Sequence, residues 1–281
     1  MVPEMQDLKG QICVVSGSSS GIGREIALEI SRCGATVVCA ARRAEKLDET
    51  IALIKEEGGV AEALACDFLD SKSVEALADY TVEKYGRIDL WVNAVGVNNA
   101  MGITWDIDFE DWMMEVRGIL QTCQIGTKCA INVMKNQTFG RIINMSGGGV
   151  VRAETYNSAY SCAKTAVVRF TECVSLELKA EKLPIKIFAF GPGLVRTQRT
   201  IDLANDPATK RFMPRIIDKI LNDEATPINK PAKFVTFIAS GAVDALEGCL
   251  LATHMNKEEL VEKAEEFAAD GTYKIHVKGS K

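Results

Sequence analysis

The sequence predicts one doubly wound α/β domain, in which a seven-stranded parallel sheet carries helices on both faces. Two observations predict this fold. Short apolar segments alternate with amphipathic helical segments, and the apolar segments lack the polar side of a half-exposed strand. The 281 residues contain no linker rich in Pro, Gly and Ser and no internal repeat, which favours a single domain.

Seven segments have the pattern of buried strands. In chain order they are "QICVVS", "ATVVCA", "AEALAC", "IDLWVN", "GRIINMS", "PIKIFAF" and "LEGCLLAT". Helices are predicted from "GIGREIALEISRCG", "EKLDETIALIKEEGG" and "SKSVEALADYTVEKYG", from residues 108–136 and from residues 156–182. Each crossover between parallel strands should be right-handed.

The alternation stops after the sixth strand. Pro207, Pro214 and Pro227 separate short helical segments there, so we expect residues 196–230 to form a long surface excursion that acts as a substrate lid. The main domain should cover residues 1–253. Residues 254–281 should form a C-terminal extension, with a helix at "NKEELVEKAEEFAADG" and an extended end at "TYKIHV".

Composition excludes several classes of function. Hydrophobic residues make up 47% and the formal net charge is −5, which is ordinary for a globular protein and argues against nucleic-acid binding. The N-terminus lacks a signal core, and the apolar runs are too short for a membrane span. Nine scattered cysteines without a C-x-x-C pair, and two histidines, argue against a metal site. We expect a cytoplasmic protein that acts on a small molecule.

The segment "SGSSSGIG", residues 16–23, predicts a dinucleotide-binding loop. It follows the first strand and opens the first helix. Gly17 permits the tight turn, Gly21 lets the backbone approach a diphosphate, and Gly23 lets the helix pack against the sheet. The glycine spacing by itself is a weak signal, but the strand–turn–helix context strengthens it.

The end of the second strand, "CAARR", indicates which cofactor binds. An NAD enzyme usually has an acidic residue here for the ribose 2′-hydroxyl, but this chain has Ala41, followed by Arg42 and Arg43. An arginine can bind a 2′-phosphate with a fork of donors, so the sequence favours NADP(H). The alternative is that both arginines are solvated residues at the start of a helix.

The segment "YSCAK" predicts a proton-transfer pair. Four residues separate Tyr160 from Lys164, so both side chains lie on one face of the helix. An ammonium near a phenol lowers the tyrosine pKa, and such a tyrosine can exchange a proton with a carbonyl or a hydroxyl. Tyr156 has no lysine four residues on.

Together these motifs resemble the short-chain dehydrogenase/reductase family over roughly residues 8–253. "SGSSSGIG", "CAARR", the "CD" that ends in Asp67, "NAVG" from Asn93, "YSCAK" and "GPGLVRT" follow one another in the family's order. The resemblance implies a Rossmann-type fold and an oligomer, a homodimer or homotetramer, built by the helices near 108–136 and 156–182. It also implies that Asp67 contacts adenine, and that Asn93 supports the centre of the sheet and the adenine ribose.

The same resemblance implies that Lys164 binds the nicotinamide ribose, while the Val195 backbone and Thr197 hold the nicotinamide amide and phosphate. The expected cofactor-binding set is therefore Gly17, Ser19, Ser20, Gly21, Ile22, Gly23, Arg42, Arg43, Asp67, Asn93, Val95, Gly96, Tyr160, Lys164, Pro192, Gly193, Val195 and Thr197.

This chain also departs from the family pattern. "NAVG" replaces the usual N-N-A-G, Ile119 stands where many members have a proton-relay asparagine, and "ATHMNK" follows the last strand in place of an aspartate and two glycines. The catalytic pair is retained, which favours an enzyme. The alternative is a catalytically weak NADP-binding sensor or scaffold of the same fold.

The segment "INMSGGGV" leaves the catalytic serine open. Ser146 stands fourteen residues before Tyr160, and Gly147 occupies the position, thirteen before, where the family usually has its catalytic serine. Either Ser146 reaches the substrate because the glycines let the backbone shift, or no serine does. We favour Ser146, since a polarising hydroxyl stabilises the transition state in such a site. A structural role at the strand end is the alternative.

The expected activity is reversible, NADP(H)-dependent reduction of a ketone or aldehyde to an alcohol. Ser146, Tyr160 and Lys164 form the expected catalytic set. The substrate itself is not encoded in a motif. Residues 196–230 contain seven Lys/Arg and five Asp/Glu, a positive balance that suits an anionic or polyhydroxylated substrate but is also that of a solvated surface.

Overall fold

The structure, a computed structural model, describes residues 2–3, 6–97 and 100–275. Its strands form one parallel sheet in the order β3-β2-β1-β4-β5-β6-β7. They are β1 (Ile12–Ser16), β2 (Thr36–Ala41), β3 (Val60–Ala65), β4 (Leu90–Asn93), β5 (Gly140–Met145), β6 (Ile185–Gly191) and β7 (Leu250–Ala252). The predicted seven-stranded parallel sheet is confirmed.

Helices lie between successive strands and after the last strand. They are α1 (Gly21–Arg32), α2 (Ala44–Glu56), α3 (Ser71–Tyr85), α4 (Phe109–Val116), α5 (Thr122–Met134), α6 (Ser158–Ala180), α7 (Gln198–Asn205), α8 (Pro207–Phe212), α9 (Pro214–Leu221), α10 (Asn229–Ala239), α11 (Lys257–Glu262) and α12 (Ala264–Asp270). One turn of π-helix, Arg117–Gln121, joins α4 to α5. None of the helices in the described part of the chain is long and apolar enough to cross a membrane.

Both faces of the sheet are covered, which explains the continuous apolar strands. In β1, Cys13 and Val15 pack on the side of α1, α2 and α10, while Val14 packs on the side of α3, α5 and α6. Seven strands and two helical layers therefore form the single doubly wound domain that the sequence predicts. The crossovers leave β1 and β4 in opposite directions, so a crevice opens outside the carboxyl ends of these two neighbours.

The C-terminal region differs from the prediction. The seventh strand begins at Leu250, four residues later than expected, because a 3₁₀ turn precedes it and Gly248 has a positive φ of 83°. The predicted single helix is broken at Lys263 into α11 and α12.

The expected extended end is a turn at residues 271–273, and residues 276 and 277 lie outside the described chain. Contacts from elsewhere in the chain help to hold this turn: the ring of Phe267 packs against that of Tyr273 with centroids 5.1 Å apart, and the Leu250 backbone N–H donates to the Tyr273 carbonyl. These tertiary contacts override the local propensities.

A buried polar network joins the centre of the sheet to the helices. The Asn93 side chain on β4 donates to the Asn144 side chain on β5 (2.8 Å) and accepts from the Trp91 indole (2.8 Å). Asn144 in turn donates to Thr171 on α6 (3.0 Å). Thr127 on α5 also donates to Asn144 (3.2 Å). Satisfied buried amides of this kind fix how the two helices sit on the sheet.

Candidate active site

The loop between β1 and α1 has the geometry of a diphosphate cradle. Gly17 has a φ of 69°, and a Cβ on Gly23 would lie 2.4 Å from the Gly17 carbonyl oxygen, so only glycine fits there. Helix α1 begins at Gly21 without a side-chain cap from Ser20 and without an acidic residue in its first turn. Its first N–H groups are thus left for an anion.

Basic side chains flank this loop. The Arg43 guanidinium lies 3.3 Å from the hydroxyls of both Ser19 and Ser20, at the edge of the cradle. Arg42 is exposed beside it, and Ala41 ends β2 without a carboxylate. The residues present therefore suit a phosphate next to the cradle.

The crevice continues along the ends of β3 and β4. Asp67 is exposed, and its carboxylate accepts from the Leu69 backbone N–H (3.0 Å). Asn93 is buried in the polar network under the sheet, while Val95 and Gly96 are half-buried at the end of β4.

The segment after β6 faces the cradle from the other side. Pro192 and Val195 are buried, Gly193 has a φ of 82°, and Val195 bridges to Thr226. Thr197 caps α7, and its methyl group would lie 3.7 Å from a Cβ on Gly21. The start of the predicted lid segment, residues 196–230, therefore lies against the cradle at Gly21.

The lysine of "YSCAK" is buried at the carboxyl end of β5. Lys164 is 5% exposed, and its Nζ donates to the Met145 carbonyl (2.8 Å) and lies 5.7 Å from the centre of the Tyr160 ring. A Cβ on Gly96 would lie 3.8 Å from the same Nζ. Burial lowers the Lys164 pKa to about 8.

The tyrosine does not have the lowered pKa that the sequence suggests. Burial raises the pKa of Tyr160 to about 12. The positive charge of Arg199 opposes this rise, and the negative charges of Glu154 and Glu115 add to it. Lys164 is on the same helix face as predicted, but the loss of solvent, and not this lysine, sets the direction of the shift. Tyr160 therefore keeps its proton at neutral pH.

The glycine loop after β5 brings a second unexpected contact. A Cβ on Gly147 would lie 2.2 Å from the Tyr160 hydroxyl, so this hydroxyl fills the space of a side chain at position 147. Ser146 is 3% exposed, and its Oγ has no hydrogen-bond partner in the described chain. Its backbone N–H donates to the Phe190 carbonyl (2.7 Å), which keeps Ser146 in the sheet ladder.

Three charged residues of the site were not identified from the sequence. Arg199 on α7 donates to the Gly96 carbonyl. Glu115 on α4 is buried and accepts from the Ala100 backbone N–H (2.7 Å). Glu154 lies beside the glycine loop, where its carboxylate would be 2.7 Å from a Cβ on Gly148. No motif marks these positions, because each contact joins residues that are distant in sequence or lie in loops.

The position at which the family often has a relay asparagine holds an isoleucine in apolar surroundings. Ile119 lies in the π-helical turn, is 1% exposed, and packs with Cys123, Ala163 and Val167. The described residues also hold no group of three His, Cys, Asp or Glu side chains that could bind a metal.

Comparison with known proteins agrees with this geometry. Residues 11–208 match the family described as short chain dehydrogenase, and the chain belongs to that family. Glucose 1-dehydrogenase 2 of Bacillus subtilis is 29% identical over 213 residues, which cover 75% of this chain and 82% of that protein.

Two further similar proteins are described as reductases. A 3-oxoacyl-[acyl-carrier-protein] reductase of Synechocystis is 30% identical over 211 residues, which cover 75% of this chain and 84% of that protein. The crystal structure of an actinorhodin polyketide ketoreductase variant with NADPH superposes on this structure with a TM-score of 0.78. The two sequences are 27% identical, and the match covers 90% of this chain and 97% of the other. The chain is accordingly a single-domain oxidoreductase of this family.

The buried ammonium of Lys164 predicts a specific pH dependence of stability. Its pKa falls from 10.5 to about 8 on folding, so the unfolded state binds more protons between these two pH values. Stability should rise with pH across that window as the buried charge is lost. Relative to Lys164→Met, the wild type should gain about 2 to 3 kcal/mol between pH 7 and pH 10.

Chemical denaturation of both proteins at a series of pH values measures this gain. Lys128→Met, which removes an exposed lysine of α5, serves as the control and should follow the wild type. A constant difference between wild type and Lys164→Met over the whole range would contradict the assignment of a buried, titrating Lys164.

Proposed function

We propose that this protein is an NADP(H)-dependent oxidoreductase that reduces a ketone or aldehyde to an alcohol, reversibly. The observation that carries the proposal is the pair of half-buried Tyr160 and buried Lys164 at the end of β5, in the same crevice as the diphosphate cradle and its two arginines. Two relatives support it: one is described as a 3-oxoacyl-[acyl-carrier-protein] reductase, the other as a ketoreductase with NADPH.

When bound, NADP(H) supplies or accepts the hydride. Tyr160 holds the proton at its phenol oxygen, because its raised pKa keeps it protonated at neutral pH, and from there it can donate this proton to the carbonyl oxygen during reduction. Lys164, fixed by the Met145 carbonyl, lies beside Gly96, and we propose that it binds the hydroxyls of the nicotinamide ribose.

The cofactor site that we propose extends from the cradle to the start of the lid segment. Gly17, Ser19, Ser20, Gly21, Ile22 and Gly23 would hold the diphosphate; Arg42 and Arg43 would hold the 2′-phosphate. The adenosine half would lie along Asp67, Asn93, Val95 and Gly96. The nicotinamide half would lie between Lys164 and the segment of Pro192, Gly193, Val195 and Thr197.

Ser146 is proposed as the hydroxyl that polarises the carbonyl. A buried hydroxyl without a partner costs stability, and a ligand that accepts its hydrogen bond would remove that cost. The opposing observation is that the Ser146 backbone is held in the ladder, so contact with a substrate requires the glycines at 147–149 to move.

The proposal extends to assembly and location. We propose a cytoplasmic homodimer or homotetramer built by α4, α5 and α6, where Leu176 is 62% exposed and Met114 is 53% exposed. Residues 1–253 would be the catalytic domain with its lid at 196–230, and residues 254–281 an extension.

A catalytically weak NADP-binding sensor or scaffold is the second candidate function. Gly147 and Ile119 favour it, because neither can supply a hydroxyl or relay a proton. The two candidates differ in turnover. The enzyme should oxidise NADPH with at least one compound of a panel of ketones and aldehydes, whereas the sensor should bind NADPH and oxidise it with none.

Cofactor preference tests the arginines. NADPH should bind much more tightly than NADH, because Ala41 removes the carboxylate and the two arginines can hold a phosphate. Arg42→Ala should weaken NADPH binding by about 1.5 to 3 kcal/mol, the scale of a charge-assisted hydrogen bond, and should barely change NADH binding.

Titration calorimetry of wild type, Arg42→Ala and Arg43→Ala with both cofactors measures these effects. Arg43 contacts the serines of the cradle, so its replacement should weaken NADPH binding as well. Equal losses for NADPH and NADH in Arg42→Ala would refute its assignment to the 2′-phosphate.

Replacement of Ser146 separates its two roles. If its hydroxyl polarises the carbonyl, Ser146→Ala should lower kcat by about 10²- to 10³-fold. The melting temperature should stay unchanged or rise slightly, since a hydroxyl without a partner is removed. Steady-state kinetics and a thermal melt measure both quantities. A lowered melting temperature with near-normal kcat would show that the serine is structural.

A further inference from the structure

Arg199 is a cation of the site that neither the motifs nor the proposed mechanism uses. It is the second residue of α7, and its guanidinium reaches from the lid segment to the end of β4, where Nη1 donates to the Gly96 carbonyl. Within the described chain this carbonyl is its one hydrogen-bond acceptor. A guanidinium has five N–H donors, so most of its donors remain for a ligand.

The neighbouring lid arginine is different. Arg196 is paired with the Asp223 carboxylate at 2.9 Å, whereas the ion pairs of the described residues do not include Arg199. An arginine that faces a cleft without a carboxylate partner is suited to bind an anion.

Arg199 also lies close to the reacting groups. Burial raises the pKa of Tyr160, and the positive charge of Arg199 opposes this rise. Burial lowers the pKa of Arg199 in turn, and the negative charges of Tyr160 and Glu115 oppose that fall. Geometry supports the same placement: Arg199 donates to the Gly96 carbonyl, and a Cβ on Gly96 would lie 3.8 Å from the Lys164 Nζ. A ligand group held by Arg199 would therefore lie near the pair of Tyr160 and Lys164.

A cavity of about 410 Å³ opens beside this guanidinium. Its walls include the apolar side chains of Met101, Leu203 and Ala208, and Arg199 is the cation of the lining. Such a volume suits a small organic substrate.

The two aspartates that line the same cavity accept hydrogen bonds from other residues of the lid segment. The Asp202 carboxylate accepts from Gln198 (2.8 Å), and the Asp206 carboxylate caps α8 by accepting from the Thr209 backbone N–H (2.8 Å). Arg199 lies in the first turn of α7, whereas Asp202 lies three residues further along the helix and Asp206 caps its C-terminus. An anion that enters the cavity would therefore bind at the arginine end.

We propose that Arg199 binds a carboxylate of the substrate, so that the site acts on oxo acids and the corresponding hydroxy acids. This inference rests on the proposed function, because it places the carboxylate beside the carbonyl that Tyr160 protonates. In the reduction, a hydride adds to the carbonyl carbon and the π electrons of C=O pass to oxygen, which takes the Tyr160 proton. The hydride would come from a C–H bond of NADPH, which would leave NADP⁺, and water would return a proton to Tyr160. The oxo acid would become a hydroxy acid with its carboxylate unchanged.

The test compares each oxo acid with its own uncharged ester. Acetoacetate and 4-oxopentanoate, each with its ethyl ester, are titrated calorimetrically into the protein with and without NADP⁺. The oxidised cofactor cannot reduce them, so the measurement reports binding alone. The wild type should bind at least one acid about 10- to 100-fold more tightly than its ester, the range of a charge-assisted contact. Added salt should reduce this preference.

Variants assign the preference to one side chain. Arg199→Met should abolish the preference for the acid and leave ester binding and NADP⁺ binding within about threefold, while Arg199→Lys should retain part of it. Arg196→Met is the matched control, since it removes a lid arginine that is already paired. It should behave as the wild type. Melting temperatures confirm that each variant is folded.

Three results would overturn the inference. The first is equal or absent binding of acid and ester by the wild type in both pairs. The second is an acid preference that survives in Arg199→Met. The third is a loss of NADP⁺ binding in Arg199→Met with an unchanged preference, which would make Arg199 a ligand of the cofactor phosphate.

Turnover of the same compounds with NADPH is scored separately. Turnover of the esters without an acid preference would keep the proposed function and remove the role of Arg199. An acid preference in binding without NADPH oxidation would keep the anion site and remove the proposed reductase.

Discussion

The hydrogen bond from the Lys164 ammonium to the Met145 carbonyl is the contact on which the rest of the site depends. It joins helix α6 to the carboxyl end of β5. Seven residues further along the same helix face, Thr171 accepts from Asn144 on the same strand. These two polar contacts, both buried, fix the axial position of α6 on the sheet. Tyr160, one turn before Lys164, is thereby placed at the end of β5.

This placement costs stability, because it buries the charged ammonium of Lys164. Burial favours the neutral forms of both Lys164 and Tyr160, lowering one pKa and raising the other. Tyr160 fills the space that a side chain at Gly147 would take, so its hydroxyl lies against backbone where a serine would otherwise stand. The cation that acts on the tyrosine is Arg199, which comes from a different segment of the chain.

The sequence was sufficient for the features that depend on local geometry. Gly17 and Gly23 are needed because the backbone of one turn approaches itself, and the spacing of Tyr160 and Lys164 follows from one helical turn. A parallel sheet is buried on both faces, so its strands are apolar throughout, and seven such segments were enough to predict the sheet that the structure has. Strand bounds and the break at Lys263 were missed because tertiary contacts decide them.

The features that the sequence did not reveal depend on distant contacts. Arg199 meets a carbonyl 103 positions earlier in the chain, and no local pattern encodes that meeting. The pKa of Tyr160 has the opposite direction from the one expected, because residue spacing reports which side chains are close but not how much solvent is removed.

The most direct test of the account is hydride transfer by Tyr160→Phe under single-turnover conditions. NADPH oxidation and NADPH binding are measured side by side, with Tyr156→Phe as the matched control, since that tyrosine has no lysine one turn later. Tyr160→Phe should bind NADPH within about threefold of wild type and transfer hydride about 10²- to 10⁴-fold more slowly, while Tyr156→Phe should keep the wild-type rate. A near-normal rate in Tyr160→Phe would contradict the account, because the proton would then come from another group.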